Sequence, residues 1–178
     1  MSTRSFILME KKSGGFKGVY AHWDGYPSWN GKILVNHYQD ESKLEKLISL
    51  GSISVLDEEI EPAAGVEHNF ENHAEGVTVF YGRDRGETGT GIKPKNFKTL
   101  DAAVKYAETC WCEYAYVRRK DGTWMFRPTW EWWKEDDEGI AAEHRKMEEA
   151  GIVDENHWIK LEEYLLMHKD EDEEEGGA

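Results

Sequence analysis

Little in this chain is built for oxidising surroundings, for a lipid interior or for a known cofactor. It has two cysteines, Cys110 and Cys112. An i, i+2 pair points to opposite sides of an extended segment, so the two do not close an easy disulfide. With no leader segment visible, reduced, buried thiols in cytoplasm are the expectation. No stretch approaches 18 apolar residues, so no membrane-spanning helix is expected. The Gly-Lys-Ser/Thr ending of a phosphate loop is missing, and the glycine spacing of a dinucleotide fingerprint fails. No catalytic motif appears at recognisable spacing, no cofactor is implied, and no metal site is assigned. An enzyme is the less favoured class.

Base is scarce relative to acid. The 178 residues hold 36 Asp and Glu against 22 Lys and Arg, for a formal net charge of −14. Such a surface repels nucleic-acid backbones and anionic membranes, which argues against direct binding to either. The charge is uneven. The run DEDEEE, Asp170 to Glu175, sits in a terminal segment, 169–178, expected to be disordered. Residues 57–75 carry seven acids and no Lys or Arg, and residues 131–149 carry eight acids. Residues 83–98 reverse the sign, with Arg83, Arg85, Lys93, Lys95 and Lys98 against Asp84 and Glu87.

Aromatic residues are plentiful: 8 Trp, 8 Tyr and 6 Phe. One small core does not easily enclose them all, so some are expected at the surface. Arg4 to Met9 and Phe16 to Trp23 read as a hairpin around Lys11 to Gly15. Ser28 is placed to cap a helix over Trp29 to Tyr38. Leu44, Leu47 and Ile48, closed by Gly51, mark a second helix. Ser52 to Leu56 fits a short strand or a packed loop. The acidic stretch 57–75 reads as a long surface excursion within a domain over 1–168. Val77 to Tyr81 reads as a strand, Gly82 to Gly91 as a loop, and Thr99 as the cap of a helix with Leu100, Val104 and Ala107 inward. Two aromatic strands flank Asp121-Gly122. The last third reads as helical, over Ile140 to Ala150 and again from Asn156, with Trp158, Leu161, Tyr164 and Leu165 on one stripe. The expected fold is α+β, a mostly antiparallel sheet with helices packed on one face and a helical C-terminal third.

Three places can carry chemistry or contacts. His22 and Asp24 share a face on a continuing strand, so Asp24 can orient His22 as a base; an aromatic corner with a turn-forming Asp explains them as well. In GRDRGETGTG the glycines allow close backbone approach, and Arg83 and Arg85, with Lys93, suit a phosphate or carboxylate. A solvated turn with internal ion pairs is the plain alternative. Trp130, Trp132 and Trp133 beside Glu135, Asp136, Asp137 and Glu138 make the patch a basic partner needs, aromatic anchors with complementary acids. The alternative is that Trp130 and Trp133 plug the core where the final helices cross the sheet. Glu67, His68, Glu71, His73 and Glu75 hold metal-ligating groups but lack a metalloprotease spacing, and serve equally as a solvated face.

The segments GVYAHWDGYPSWNGKILVNHY, KLEKLISLGSIS and VFYGRDRGE resemble small bacteriophage and prophage proteins marked by the stretch HWDGYP. The likeness spans roughly Arg4 to Tyr116. It implies an accessory protein acting inside an infected bacterium, and it assigns no role to His22, Asp24 or Arg83. The leading expectation is therefore an acidic protein that binds and inhibits or redirects a basic host protein, in its sharpest form as a DNA mimic. The alternative is a small enzyme or sequestering protein for a nucleotide or other anion.

Overall fold

The computed structural model describes residues 2–169, so the expected acidic tail lies, from residue 170 on, outside the described residues. The organising strand is β1, Ser5–Glu10. It pairs antiparallel with β2, Phe16–Ala21, and parallel with β6, Tyr114–Arg118. Beyond β2 lie β3 (Ile53–Val55) and β4 (Val79–Phe80), and β5 (Lys95–Phe97) pairs with the start of β2. Beyond β6 lie β7, Trp124–Pro128, and β8, Ile159–Lys160. Of the seven pairings, five are antiparallel. The α+β class with a mostly antiparallel sheet is thus what the sequence pattern indicates.

Alternation along the strands builds two cores. Ile7, Met9, Val19, Ala21, Tyr116 and Phe126 point to one face, where α1 (Lys32–His37), α2 (Glu41–Ser49), α4 (Glu138–Glu149) and α5 (Leu161–Met167) supply Leu34, Leu44, Leu47, Ile48, Met147 and Leu161. Phe6, Leu8, Ala115, Val117 and Met125 point to the other, where α3, Leu100–Thr109, lays down Ala103, Val104 and Ala107. Helices therefore cover both faces rather than one. The reason is the strand sequence itself: SFILME has a large apolar residue at every position from Phe6 to Met9, so neither face can be left in water. The alanines of α3 let its backbone approach the sheet closely.

Local signals explain most helix starts. Asp40 accepts from Lys43 N–H at 2.9 Å, Thr99 from Ala102 N–H at 3.2 Å, and Asp137 from Gly139 N–H at 2.9 Å. Three expectations are corrected. Ser28 caps nothing: Pro27–Gly31 form a π-turn leading into the shorter α1. Trp158 is not on the stripe of α5, because the chain first runs as β8 to meet the free edge of β7, which sends Trp158 into the second core. The strand expected over Val77 to Tyr81 is regular only at Val79–Phe80, and β5 arises in a segment whose sequence carries no alternation.

The acidic stretch 57–75 is tied down. Tyr38 Oη donates to Asp57 O at 2.7 Å, and Arg83 Nη1 donates to Ile60 O at 2.8 Å. His68 Nδ1 accepts from Ala74 N–H at 2.9 Å, which leaves the ring proton on Nε2, 3.1 Å from Thr78 O. The Asp84 carboxylate lies 3.4 Å from the same Nε2, and both side chains are buried. Backbone bonds add to these, Glu59 N–H to Gly76 O at 2.9 Å and Thr78 N–H to Glu59 O at 2.8 Å, so the stretch is held by both side chains and main chain.

Trp132 is among the core residues, packed edge-on against His144 at 4.4 Å. Trp132→Ala is expected to cost about 3–5 kcal/mol in urea denaturation, as emptying a large buried site does; a loss under 1 kcal/mol would contradict its core placement.

Candidate functional site

The strand registers put four chain segments at one end of the sheet. Ser5 is opposite both Ala21 and Tyr114, and Tyr114 is opposite Pro128. Glu113 N–H donates to Arg4 O at 2.8 Å, and Thr129 N–H donates to Glu113 O at 3.0 Å, which ties the segments leaving those strands together. Four of the eight tryptophans belong to these segments and are exposed: Trp23 just after β2, Trp29 in the turn that follows, Trp111 just before β6, and Trp130 just after β7. Exposed single apolar residues are ordinary, but four exposed indoles on segments that leave the sheet at the same end are not.

Trp111 is the sharpest case. At the end of α3, Cys112 N–H donates to Ala107 O at 3.0 Å and Trp111 N–H donates to Glu108 O at 3.0 Å. This is the Schellman closure, in which the residue at the Trp111 position turns left-handed and is normally glycine. α4 closes by the same two bonds, Ile152 to Met147 and Gly151 to Glu148, with Gly151 at φ 71°. In α3 the position is held by a tryptophan at φ 62° whose side chain is left in solvent, 78% exposed. A bulky residue in this conformation costs about 1 kcal/mol, and Trp111 recovers none of it by burial.

An acidic cavity of about 860 Å³ opens beside this end, between α3 and the segment after β7. Asp101, Glu108, Glu131, Glu135 and Glu155 line it, with Lys105 and Lys134 among them. Arg127, buried, forms its floor; Nε donates to Pro128 O at 2.9 Å, and the guanidinium lies 4.8 Å from the Trp133 ring. Burial holds Arg127 below its ordinary value, while Asp101, Glu108, Glu131 and Asp154 oppose that shift. Trp133 in turn stacks on His157 at 3.9 Å.

The patch expected at Trp130 to Glu138 is thus divided. Trp130 is exposed, Trp133 is half-buried under Arg127 and His157, and Trp132 is in the core and presents nothing to a partner. That part of the expectation is corrected: the turn after β7 needs a plug between the sheet and α4. Glu135, Asp136 and Glu138 are exposed, whereas the Asp137 carboxylate is engaged in capping α4.

The other expected sites also separate. Asp24 does not share a face with His22. The chain turns left-handed at Asp24, φ 54°, and the carboxylate faces Tyr26, whose phenol is raised by burial and then by that charge. Gly25 is required here, because a Cβ would come within 2.8 Å of Thr3 O. Arg83 turns away from solvent to Ile60 O, Thr78 O and Asp84. Arg85 behaves differently. It lies 4.5 Å from the Tyr81 ring and, with burial and Arg4, lowers the His22 pKa. His22 Nδ1 and Tyr20 Oη share a hydrogen bond at 2.6 Å, and burial pushes the Tyr20 phenol up to about 12. Lys93 shares a second, smaller cavity with Tyr20 and Tyr81. Among the described residues no group of three or more His, Cys, Asp and Glu is placed to hold a metal ion, Glu67 to Glu75 included. No described helix is long and apolar enough to cross a membrane.

Comparison with protein-family models, curated proteins and solved structures finds no match to this chain.

Sequence reasoning did not pick out Trp111, Arg127, Arg4 or Tyr20. The signal for Trp111 was present: the helix ends in TCWC, with no glycine or asparagine where a left-handed closure wants one. Trp111→Gly is expected to raise the unfolding free energy by about 1 kcal/mol, measured by urea denaturation. A loss of stability would show that the indole is held by packing.

Proposed function

We propose that this chain is an acidic accessory protein that captures a basic partner protein at the tryptophan-bearing end of its sheet. The observation that carries this reading is Trp111, a strained and solvent-exposed indole kept where glycine would serve the fold better. Binding hot spots are rich in tryptophan, and a fixed indole adds large contact area at little entropic cost. The acidic cavity next to Trp130 supplies the complementary charge, which steers a basic partner and suppresses acidic ones. The resemblance to phage and prophage proteins favours a host protein as that partner, and its capture would inhibit or redirect it. The DNA-mimic form asks for an unbroken carboxylate array; Lys105, Arg127 and Lys134 interrupt this one, so the general form is the one supported.

The test is a tagged pull-down from bacterial lysate at low and at high salt, run with the native chain and with a Trp111→Gly, Trp130→Ala variant. The expected result is one stoichiometric basic protein, retained at low salt, released at high salt, and absent from the variant while the variant still unfolds cooperatively. Capture that the variant retains, or that salt does not touch, would overturn the assignment.

A further inference from the structure

The flank of α3 opposite the acidic cavity carries the reverse charge. A cavity of about 320 Å³ lies there between α3, β2 and the turn that follows β4. Its wall is largely aromatic, with Tyr20, Tyr81 and Tyr106, and Lys93 and Lys95 stand at its edge. Two further cations adjoin it. The positive charge of Arg4 acts on Tyr20 and Tyr81 against the effect of their burial, and Arg85 lies over the Tyr81 ring.

The charge of this place is not self-compensated. Glu87 is the one carboxylate among the lining residues, and Arg85 sits 3.4 Å from it. Lys95 Nζ donates to Thr90 O at 2.8 Å. Arg4 and Lys93 have no carboxylate within ion-pair distance among the described residues. Two cations without a carboxylate partner near one cavity, in a chain of net charge −14, run against the trend of the whole surface. Mutual repulsion disfavours such an arrangement unless an anion joins it. The Tyr20–His22 contact adds a positioned polar pair at the same place. The bond joins Tyr20 Oη and His22 Nδ1 at 2.6 Å, and burial, then Arg4 and Arg85, lowers the His22 pKa.

We propose that this cavity binds a small anion bearing a flat ring, of the nucleoside monophosphate class, with its charged group on Arg4, Arg85 and Lys93 and its ring against Tyr20 and Tyr81. The volume is at the lower end of small-molecule sites, which suits one ring with one phosphate rather than a dinucleotide. Aromatic faces accept any base by stacking, so discrimination among bases is weak at this site. The arginines take the anion's oxygens as paired donors and Lys93 as a point charge. Arg83, bound to Ile60 O and Thr78 O, takes no part. The site adjoins the tryptophan-bearing end through Cys110, beside Trp111, and through His22, packed edge-on against Trp23 at 4.8 Å, but it shares no residue with the acidic cavity, and either proposal stands if the other fails.

The experiment is calorimetric titration of the full chain with adenosine and uridine monophosphate, with ribose 5-phosphate and inorganic phosphate as probes lacking a base. Arg85→Gln and Lys93→Gln variants, both in the exposed turn, are titrated in parallel, and Glu149→Gln, at the exposed end of α4 on the other face of the sheet, serves as a variant remote from the cavity. The expected result is saturable binding of the nucleotides, weaker binding of the two base-free probes, and about a tenfold loss of affinity in each of Arg85→Gln and Lys93→Gln, with Glu149→Gln unchanged. Three results would each overturn the proposal: no saturable nucleotide binding at millimolar concentration, equal binding of nucleotide and inorganic phosphate, or full affinity retained in both glutamine variants.

Discussion

Everything in this fold follows from burying β1 on both faces. Phe6 and Leu8 face one way, Ile7 and Met9 the other, and all four are almost wholly removed from water. A strand of that kind cannot lie at an edge or face solvent, so it takes β2 on one side and β6 on the other. Each face must then be covered. One receives a group of helices from both ends of the chain, and the other receives α3 alone. A single ten-residue helix cannot cover a face of this width, and the flanks it leaves open are the two cavities discussed above.

The charge segregation has the same origin. The flank of α3 toward β7 is walled by acids from Asp101, Glu108 and the segment after β7. The flank toward β2 is walled by tyrosines and edged by lysines from the turn that follows β4. Aromatic residues divide in parallel. Trp124, Trp132 and Trp158 are spent on the two cores, and the four exposed indoles gather where β1, β2, β6 and β7 share an end. That end is where loops enter and leave a rigid sheet, the place where side chains are free of packing duties yet held in position.

Much of this was legible in the chain. The hairpins, α2, α3 and their caps came from local chemistry: Asp40 and Thr99 sit where a first turn needs an acceptor, and Leu44, Leu47 and Ile48 repeat at helical spacing. The misreadings also have local causes. NHWIKLEEY has a helical period throughout, but the open edge of β7 outbids helix propensity for Ile159 and Lys160. The acidic stretch 57–75 has the composition of a solvated loop, yet a buried His68 anchors it, and no sequence pattern announces a histidine whose partners are Ala74 and Thr78. Arg83 and Arg85, equivalent by sequence, are split by the turn between them: one satisfies backbone carbonyls and the other lies over the Phe70 and Tyr81 rings.

What the sequence alone determined is the class of the protein: its acidity, its surplus of aromatics, its α+β strand-and-helix pattern and the absence of a recognised catalytic or cofactor motif. Those properties follow from composition and short-range periodicity, which any reading of the chain contains. Which tryptophan is a core plug and which an exposed contact, and which arginine is structural, only the tertiary structure decided. The reason is that neighbouring residues carry the same chemistry in sequence, while burial and pairing depend on contacts with segments tens of residues away: Trp130 and Trp132 differ in fate because the sheet and α4 close over one and not the other.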